Sequence, residues 1–595
     1  MSVIAYDTET YKGYVKLLAN SQGQYLETSN TLELLNFLNR TSCTSGYNVF
    51  FNIEYDLGSI IKEHIVSQGD RLHSDFYKTI NAKAMIGIDD EDELGYRFDI
   101  EDYHIVYLSG KTFSLKKGNQ KTKHFWDVSN FYKLGYGFST LDYCSRTYLN
   151  DRKNDEELSI DRAKIGNEHG YYEKYRDKII RYCIKDCDLT KRLFLRTKKG
   201  YENLGFVFPE KPYSPASVFK EFLKDKWNEE IKTAEYLQAH PSFSTIYNAY
   251  RGGIFQTFAI GHYENVYDID INSAYPYYMA SLPSVVDFKL VENIGNYNFY
   301  RVKGFPDSFT PLRSKNKNLI YGNSSHKWTF YKTLEELKED DEILEEVHIK
   351  TDNKPILPII NQWYNQKSDL KNRYGKDSVE YDNLKRMING GYGVFAQSVP
   401  DFTKYTNYVY ASYMTSLTRV RIKNLYDSIT QNGDKVISIS TDGITIQNTS
   451  GNNLEYLKGQ FGNDMGQLSV NKWDSITQYL NGIYVLQSGW KQILKKRGFE
   501  RMRLSDLNST DYQISYESYK PMRLMSAIIQ KRYNELNDFS KQTKIFSPYE
   551  SWLRVNPKMS EKILDWTIAD FKDKQLDVPK LYIDNYLYLL GDNQI

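Results

Sequence analysis

Cysteine is scarce in this chain. Four residues of 595, Cys43, Cys144, Cys183 and Cys187, form no C-x-x-C pair and no zinc spacing, which argues against a disulfide scaffold and a structural zinc site. The expectation is a reduced, cytoplasmic protein. An excess of either charge is missing as well: 77 Lys+Arg against 76 Asp+Glu leaves +1, so any nucleic-acid binding must come from local basic patches. There is no run of 18 apolar residues, hence no apolar membrane span, and the start M-S-V-I-A-Y-D-T-E-T is no signal peptide. No internal repeat or low-complexity linker separates beads on a string. What is present is a soluble composition, 40% apolar and 26% charged, in a length that exceeds one core and predicts several interdigitated domains. The 52 tyrosines suit base stacking or core filling, and composition does not choose between them.

The organising stretch is 266–276, V-Y-D-I-D-I-N-S-A-Y-P. Val266, Tyr267, Ile269 and Ile271 alternate with Asp268 and Asp270, which predicts a strand ending on a carboxylate and a tight turn. A second strand-borne carboxylate, Asp442, stands in V-I-S-I-S-T-D-G-I-T-I (436–446). Each alone reads more readily as a turn former. As a pair from distant segments they suggest a shared two-metal site. At the N-terminus, Asp7 and Glu9 are two apart on an apolar strand and project to one side. The segment 48–56 adds Asn52 and Asp56, and the helical run 179–189 places Tyr182 and Asp186 on one face at i,i+4. Four carboxylates from three segments suit two divalent cations.

These stretches resemble the motifs of the family B DNA polymerases. D-I-N-S-A-Y-P (270–276) resembles motif A, K-R-M-I-N-G-G-Y-G (385–393) motif B and S-T-D-G (440–443) motif C. Y-R-G-G (250–253) resembles the signature of the protein-primed branch found in bacteriophages, linear plasmids and other viruses. Asp7-x-Glu9, Asn52-x-x-x-Asp56 and Tyr182-x-x-x-Asp186 resemble the three exonuclease motifs. The resemblance implies an α/β multidomain chain, an RNase-H-like 3′→5′ exonuclease domain followed by a right-hand palm, fingers and thumb. The expected divisions are 1–195 nuclease, 196–295 linker and palm with motif A, 296–357 an insertion, 358–398 fingers, 399–503 palm with motif C and 504–595 thumb.

The implied activity is DNA-directed DNA synthesis with 3′→5′ proofreading, using two Mg²⁺ or Mn²⁺ ions per site. The resemblance assigns Asp270 and Asp442 to one metal pair and Asp7, Glu9, Asp56 and Asp186 to the other, with Tyr182 orienting the attacking water. Thr10, Asn52 and Tyr55 would hold a single-stranded 3′ end. Either Lys153 or Lys164 would be the nuclease lysine. Tyr275 would stack under the incoming sugar and exclude a 2′-hydroxyl. Lys367 and Lys385 would contact the triphosphate, with Asn389 and Tyr392 on the same helix face. Tyr250, Arg251, Gly252 and Gly253 would contact the primer–template, Arg251 through phosphate and the glycines through positive φ or close approach. Motif C carries Ser440 for its first Asp and Gly443 for its final Ser, and motif B carries Gly390 for Ser. The usual K-x-Y appears as Gly482-Ile483-Tyr484, so Tyr484 with Lys495, Lys496 and Arg497 in the basic run 490–503 would take the primer backbone. Residues 394–441 leave little room for the β-hairpin that helps phage enzymes encircle DNA.

Coarser expectations complete the reading: helices at 215–230 and 361–390, an acidic amphipathic run at 333–347 suited to a basic terminal protein, and a helical, aromatic 504–595. The partners implied are primer–template DNA, dNTPs and a terminal protein, with no membrane, for a monomer in the cytoplasm, the host's if viral. The alternatives are an exonuclease whose polymerase site has decayed, motivated by Ser440 and Gly482, and a non-enzymatic scaffold binding DNA or terminal protein.

Overall fold

The computed structural model describes residues 2–71, 96–132, 139–152, 160–313, 319–397, 403–450 and 452–585. Two eight-stranded sheets dominate it. The first is N-terminal. Its strand Ser2–Tyr11 pairs antiparallel with Tyr14–Asn20 and parallel with Gly46–Phe50, which pairs parallel with Lys123–Asp127. The strands Thr112–Lys117, Tyr103–Leu108 and Tyr96–Ile100 extend it as an antiparallel meander. Ile4 and Tyr6 face a core shared with helices Thr31–Thr41 and Ile53–Ile60, while Val3 and Ala5 face the opposite core. The period-2 alternation seen in the sequence therefore serves two buried faces. The long helix Arg176–Asn203 covers one of them, with Ile179, Cys183, Asp186 and Cys187 buried at helical spacing. It runs straight through the division expected at 195.

The second sheet is antiparallel throughout. Ala259–Ile271 lies at its centre between Gly443–Gln447 and Leu468–Leu480. Lys435–Thr441 and Ile254–Thr257 continue one side, Ile483–Ser488 and Lys491–Lys496 the other. Helices Ile359–Tyr374, Val379–Phe395 and Tyr408–Gln431 pack behind and above it. A four-stranded sheet, ordered Lys289–Val291, Glu342–Lys350, Tyr297–Gly304, Trp328–Thr333, forms a separate module against the last of these helices.

Four expectations need correction. The helix expected at 215–230 ends at Lys226, and Trp227 turns the chain into a second helix, Asn228–Ala239; its Ser214-Pro215 start is a capping box with Pro in the first turn. The helix expected at 361–390 is two helices, broken at Gly375 with φ +80, a left-handed position that glycine adopts without penalty. The acidic run 333–347 is a 3-10 turn, Leu334–Glu336, followed by the strand Glu342–Lys350. Tyr297–Gly304 offers that strand a ladder partner, and tertiary pairing overrides local helix preference. Finally, 504–585 is not chiefly helical: a long hairpin, Ile514–Pro521 with Phe539–Phe546, brackets the short helix Leu524–Ile529. Leu524 and Ile528 sit in the N-terminal core beside Leu57 and Ile60. Among the described residues no helix is long and apolar enough to cross a membrane.

Candidate active sites

The central strand Ala259–Ile271 delivers Asp270 to the edge of a cleft of about 720 Å³ lined also by Asp442, Tyr275, Lys367, Lys371, Lys385 and Asn389. Asp270 pairs across the ladder with Gly443. The backbone NH of Ile271 donates to the Asp442 carbonyl at 2.9 Å, so the two carboxylates from distant segments are locked into one register. A Cβ added to Gly443 would lie 2.9 Å from Asp270 Oδ1; the departure from Ser in motif C leaves room for that carboxylate. Burial, then the charges of Asp442 and Asp268, push Asp270 up to about 7. Asp442 is raised by burial. Crowded carboxylates of this kind are relieved by a divalent cation, and an all-oxygen donor pair fits a hard ion such as Mg²⁺ or Mn²⁺. Asp268, two residues upstream, accepts from Thr445 Oγ1 at 2.7 Å and Trp473 Nε1 at 3.1 Å.

The opposite wall is cationic. Lys367 lies over the Tyr364 ring at 4.0 Å and donates to Ser273 Oγ at 3.2 Å. Burial, then Lys385 and Lys371, pull its ammonium down to about 8. Three positive groups facing two carboxylates across one cleft match a polyanion carrying its own metal. Tyr275, in the first turn of helix Ala274–Ser281, packs on Tyr392 with ring centroids 4.2 Å apart.

The second cleft belongs to the N-terminal sheet. Asp7, Glu9 and Cys183 bring ligand atoms within 4.8 Å of one another, with Cys183 Sγ 3.8 Å from Asp7 Oδ2. Asp56 accepts from Thr8 Oγ1 at 2.7 Å and from the Thr8 NH at 3.2 Å. Asp186 and Tyr182 are buried on the helix Arg176–Asn203. Burial pushes the Cys187 thiol up to about 11 against its hydrogen bond with Cys183, and the charges of Asp7, Asp186 and Asp56 add to the rise. Among the described residues of this cleft, Asp7 and Glu9 are carboxylates whose oxygens come within ligand distance of each other, and they fit a divalent cation as the first pair does. Thr10 and Tyr55 join their hydroxyls at 2.7 Å. Asn52 caps helix Ile53–Ile60 with φ +72, a conformation Asn tolerates, and its NH donates to Asp127 Oδ1 at 2.9 Å.

The sequence model of the family described as DNA polymerase type B, organellar and viral, matches residues 37–460. The chain belongs to this family. A DNA polymerase of Acidianus bottle-shaped virus is 26% identical over 294 residues, 43% of this chain and 40% of the viral protein. Phi29 DNA polymerase in a ternary complex with primer-template DNA and incoming nucleotide aligns with TM-score 0.58 at 13% identity, covering 92% of this chain and 98% of that one. Its orthorhombic crystal form gives 0.59 at 15%, covering 91% and 99%. At such identity the likeness is one of fold. It gives this type B polymerase the expected architecture, a nuclease-type α/β domain joined to a polymerase domain.

Several expected contacts of this family B chain sit elsewhere than foreseen. Arg251 does not face solvent. Its guanidinium is 1% exposed and pairs with Glu336 at 3.6 Å, so the phosphate contact expected of it is replaced by an internal ion pair. Gly252 and Gly253 do not adopt positive φ. Gly253 is needed for close approach, since a Cβ there would lie 2.6 Å from Thr441 Cγ2, whereas nothing lies near that of Gly252. Tyr250 packs edge-on to Tyr408. Lys496 is turned inward, donating to the carbonyls of Glu500 and Met502 at 2.5 and 2.9 Å. Lys495 and Arg497 are exposed, and Lys495 is in register with the half-buried Tyr484. Lys164 pairs with Glu168 at 3.7 Å, and Lys153 lies outside the described residues.

The sequence reading missed the roof of the N-terminal cleft. The hairpin Ile514–Pro521/Phe539–Phe546 lies across it: Lys520, Pro521 and Arg523 line the cleft with Asp7, Asn52 and Tyr55. Arg501 and Phe539 line its continuation past Glu9 and Thr10. Asn537 Nδ2 donates to the Tyr55 carbonyl at 2.5 Å and Ser59 Oγ at 2.8 Å. No spacing rule links 501–546 to 7–56. The D-I-D alternation at 268–270 was the available signal for Asp268.

Proposed function

We propose that this type B polymerase extends a DNA primer in the palm cleft and removes 3′ nucleotides in the N-terminal cleft, priming replication of a viral or plasmid genome from a terminal-protein hydroxyl. The observation that carries the reading is the placement of Asp270, near the end of the central strand, beside Asp442, in the tight turn between strands Lys435–Thr441 and Gly443–Gln447, with both facing Lys367, Lys371 and Lys385 across one cleft. Two Mg²⁺ or Mn²⁺ ions bound at each carboxylate set would activate the attacking hydroxyl or water and neutralise charge on the leaving oxygen. Asp270 and Asp442 hold that pair in the palm, and Lys367 and Lys385 orient the triphosphate so that its pyrophosphate leaves along their side. Tyr275, braced on Tyr392, fills the space a 2′-hydroxyl would take and selects deoxynucleotides. In the nuclease cleft Asp7, Glu9, Asp56 and Asp186 hold the second pair and Tyr182 orients water. Thr10, Asn52 and Tyr55 position the frayed end under Lys520, Arg523 and Arg501, whose charges draw in its backbone. Tyr484, Lys495 and Arg497 follow the primer strand on the palm. The segment 296–357 would be the module that meets the terminal protein. Its edge exposes Ile343 and Leu344 among acidic neighbours Glu339, Asp340, Glu342 and Glu346, a surface suited to a basic, partly apolar partner.

Primer extension on a recessed-end duplex tests this with wild type, Asp270→Ala and Asp7→Ala. Extension lost only in Asp270→Ala, and primer shortening lost only in Asp7→Ala, are the expected results. Ser440 and Gly482 favour a second reading, a nuclease with a decayed polymerase site. Shortening without extension by wild type would select it.

A further inference from the structure

The loop Tyr250–Gly253 is gripped along its whole length. Arg313 donates to the Tyr250 carbonyl at 3.3 Å, Arg419 to those of Arg251 and Gly252 at 2.7 and 3.0 Å, and Tyr321 to that of Gly253 at 3.2 Å. Four consecutive carbonyls thus each accept from a side chain, and a loop with every acceptor engaged has little freedom to shift. Two of the four come from the small hairpin Leu312–Arg313/Leu319–Ile320, which holds Arg313 and is followed directly by Tyr321; the other two come from Arg419 on helix Tyr408–Gln431. Glu336 binds both arginines of the loop's surroundings. Its Oε1 accepts from Arg419 Nε at 3.1 Å, and its Oε2 lies 3.6 Å from Arg251, all three side chains being about 1% exposed. One carboxylate between two buried guanidiniums fixes geometry because either arginine left alone would be a buried uncompensated charge.

The far end of the loop reaches the palm carboxylate. Gly253 presses on Thr441, and the next residue, Ile254, is the ladder partner of Thr441. Thr441 has φ +60. A β-branched residue in the left-handed region is held there only by its surroundings, and it is the residue that aims Asp442.

We infer that segments 297–313 and 319–350, acting with Arg419 of helix Tyr408–Gln431, which Glu336 holds in place, clamp the Tyr-Arg-Gly-Gly loop and through Gly253 and Thr441 set the position of Asp442, with Glu336, Arg419, Arg313 and Tyr321 as positioning residues. This rests on the polymerase reading of Asp442. A partner docked on those segments then acts on the chemistry through the loop, with no residue of its own in the cleft.

Tyr321→Phe removes one grip without creating a cavity, and Glu336→Gln removes the shared charge. The expected result for Tyr321→Phe is a kcat for nucleotide addition lowered about fivefold, the worth of one hydrogen bond, at unchanged KM for dNTP. Degradation of a single-stranded oligonucleotide, which does not use Asp442, stays at the wild-type rate. Glu336→Gln gives a larger fall in the same direction. Hydrogen exchange reads the clamp without any activity: amides of 250–254 and 440–443 exchange faster in Tyr321→Phe. If wild type extends no primer, the polymerase reading fails and exchange alone decides the clamp. Wild-type exchange at 440–443 in Tyr321→Phe overturns it, as does a fall in both activities that follows the melting temperature.

Discussion

Asp270→Asn is expected to abolish extension while making the metal-free protein more stable. The folded state raises the Asp270 carboxyl from 3.8 to about 7. A group held above its unfolded value binds its proton more tightly when folded, so the folded state is favoured at low pH and loses that advantage as pH rises from about 4 to about 7. Taken at face value the shift corresponds to a ceiling of about 4 kcal/mol at pH 8. The carboxylate opens onto the cleft, and solvent there screens its neighbours, so we discount this to about 1–2 kcal/mol. Asn has the same shape and no charge. In an Asp7→Ala background at pH 8 with chelator, calorimetry should place the Asp270→Asn melting transition roughly 1–2 °C above its parent, with the gap closing toward pH 5. Added Mg²⁺ or Mn²⁺ should reverse the order, because only the parent retains the carboxylate pair, and saturation at a hundredfold over the dissociation constant adds about 2.7 kcal/mol. Equal melting at pH 8, or an equal rise with metal in both proteins, would refute the view that Asp270 and Asp442 are a strained pair awaiting cations.

Other outcomes follow from the same geometry. Burial, then Lys385 and Lys371, bring the Lys367 ammonium down to about 8, so its positive charge is present below that pH and lost above it; the KM for dNTP should rise above pH 8 in wild type, and Lys367→Arg should flatten that rise. Glu336→Ala leaves Arg251 and Arg419 buried without their shared counter-charge and should destabilise the fold by about 3–5 kcal/mol, read as a lowered denaturation midpoint. Tyr275→Val should admit ribonucleotides, measured as a fall of at least tenfold in the dNTP-to-NTP ratio of kcat/KM. Lys520→Ala with Arg523→Ala should slow degradation of single-stranded DNA and make its salt dependence shallower than that of wild type, leaving extension intact.

The sequence by itself determined the elements and residues whose meaning lies in spacing. Asp7 and Glu9 two apart on a strand, Tyr182 and Asp186 four apart on a helix, and Lys385 and Asn389 likewise, needed only the period of the element that carries them. The strand ending in Asp270 and the family of the chain were legible for the same reason, since short motifs keep their order whatever surrounds them. Tertiary structure decided what depends on distant partners. Glu336 looked like one acid in an acidic run, and only folding puts it between Arg251 and Arg419. The run itself became a strand because Tyr297–Gly304 stood ready to pair with it. Lys520, Arg523 and Phe539 reached the N-terminal cleft because Leu524 and Ile528 bury themselves beside Leu57 and Ile60. Periodicity records which side of an element is buried; it carries no record of what buries it, because contacts between remote segments are selected by the packing of the whole chain.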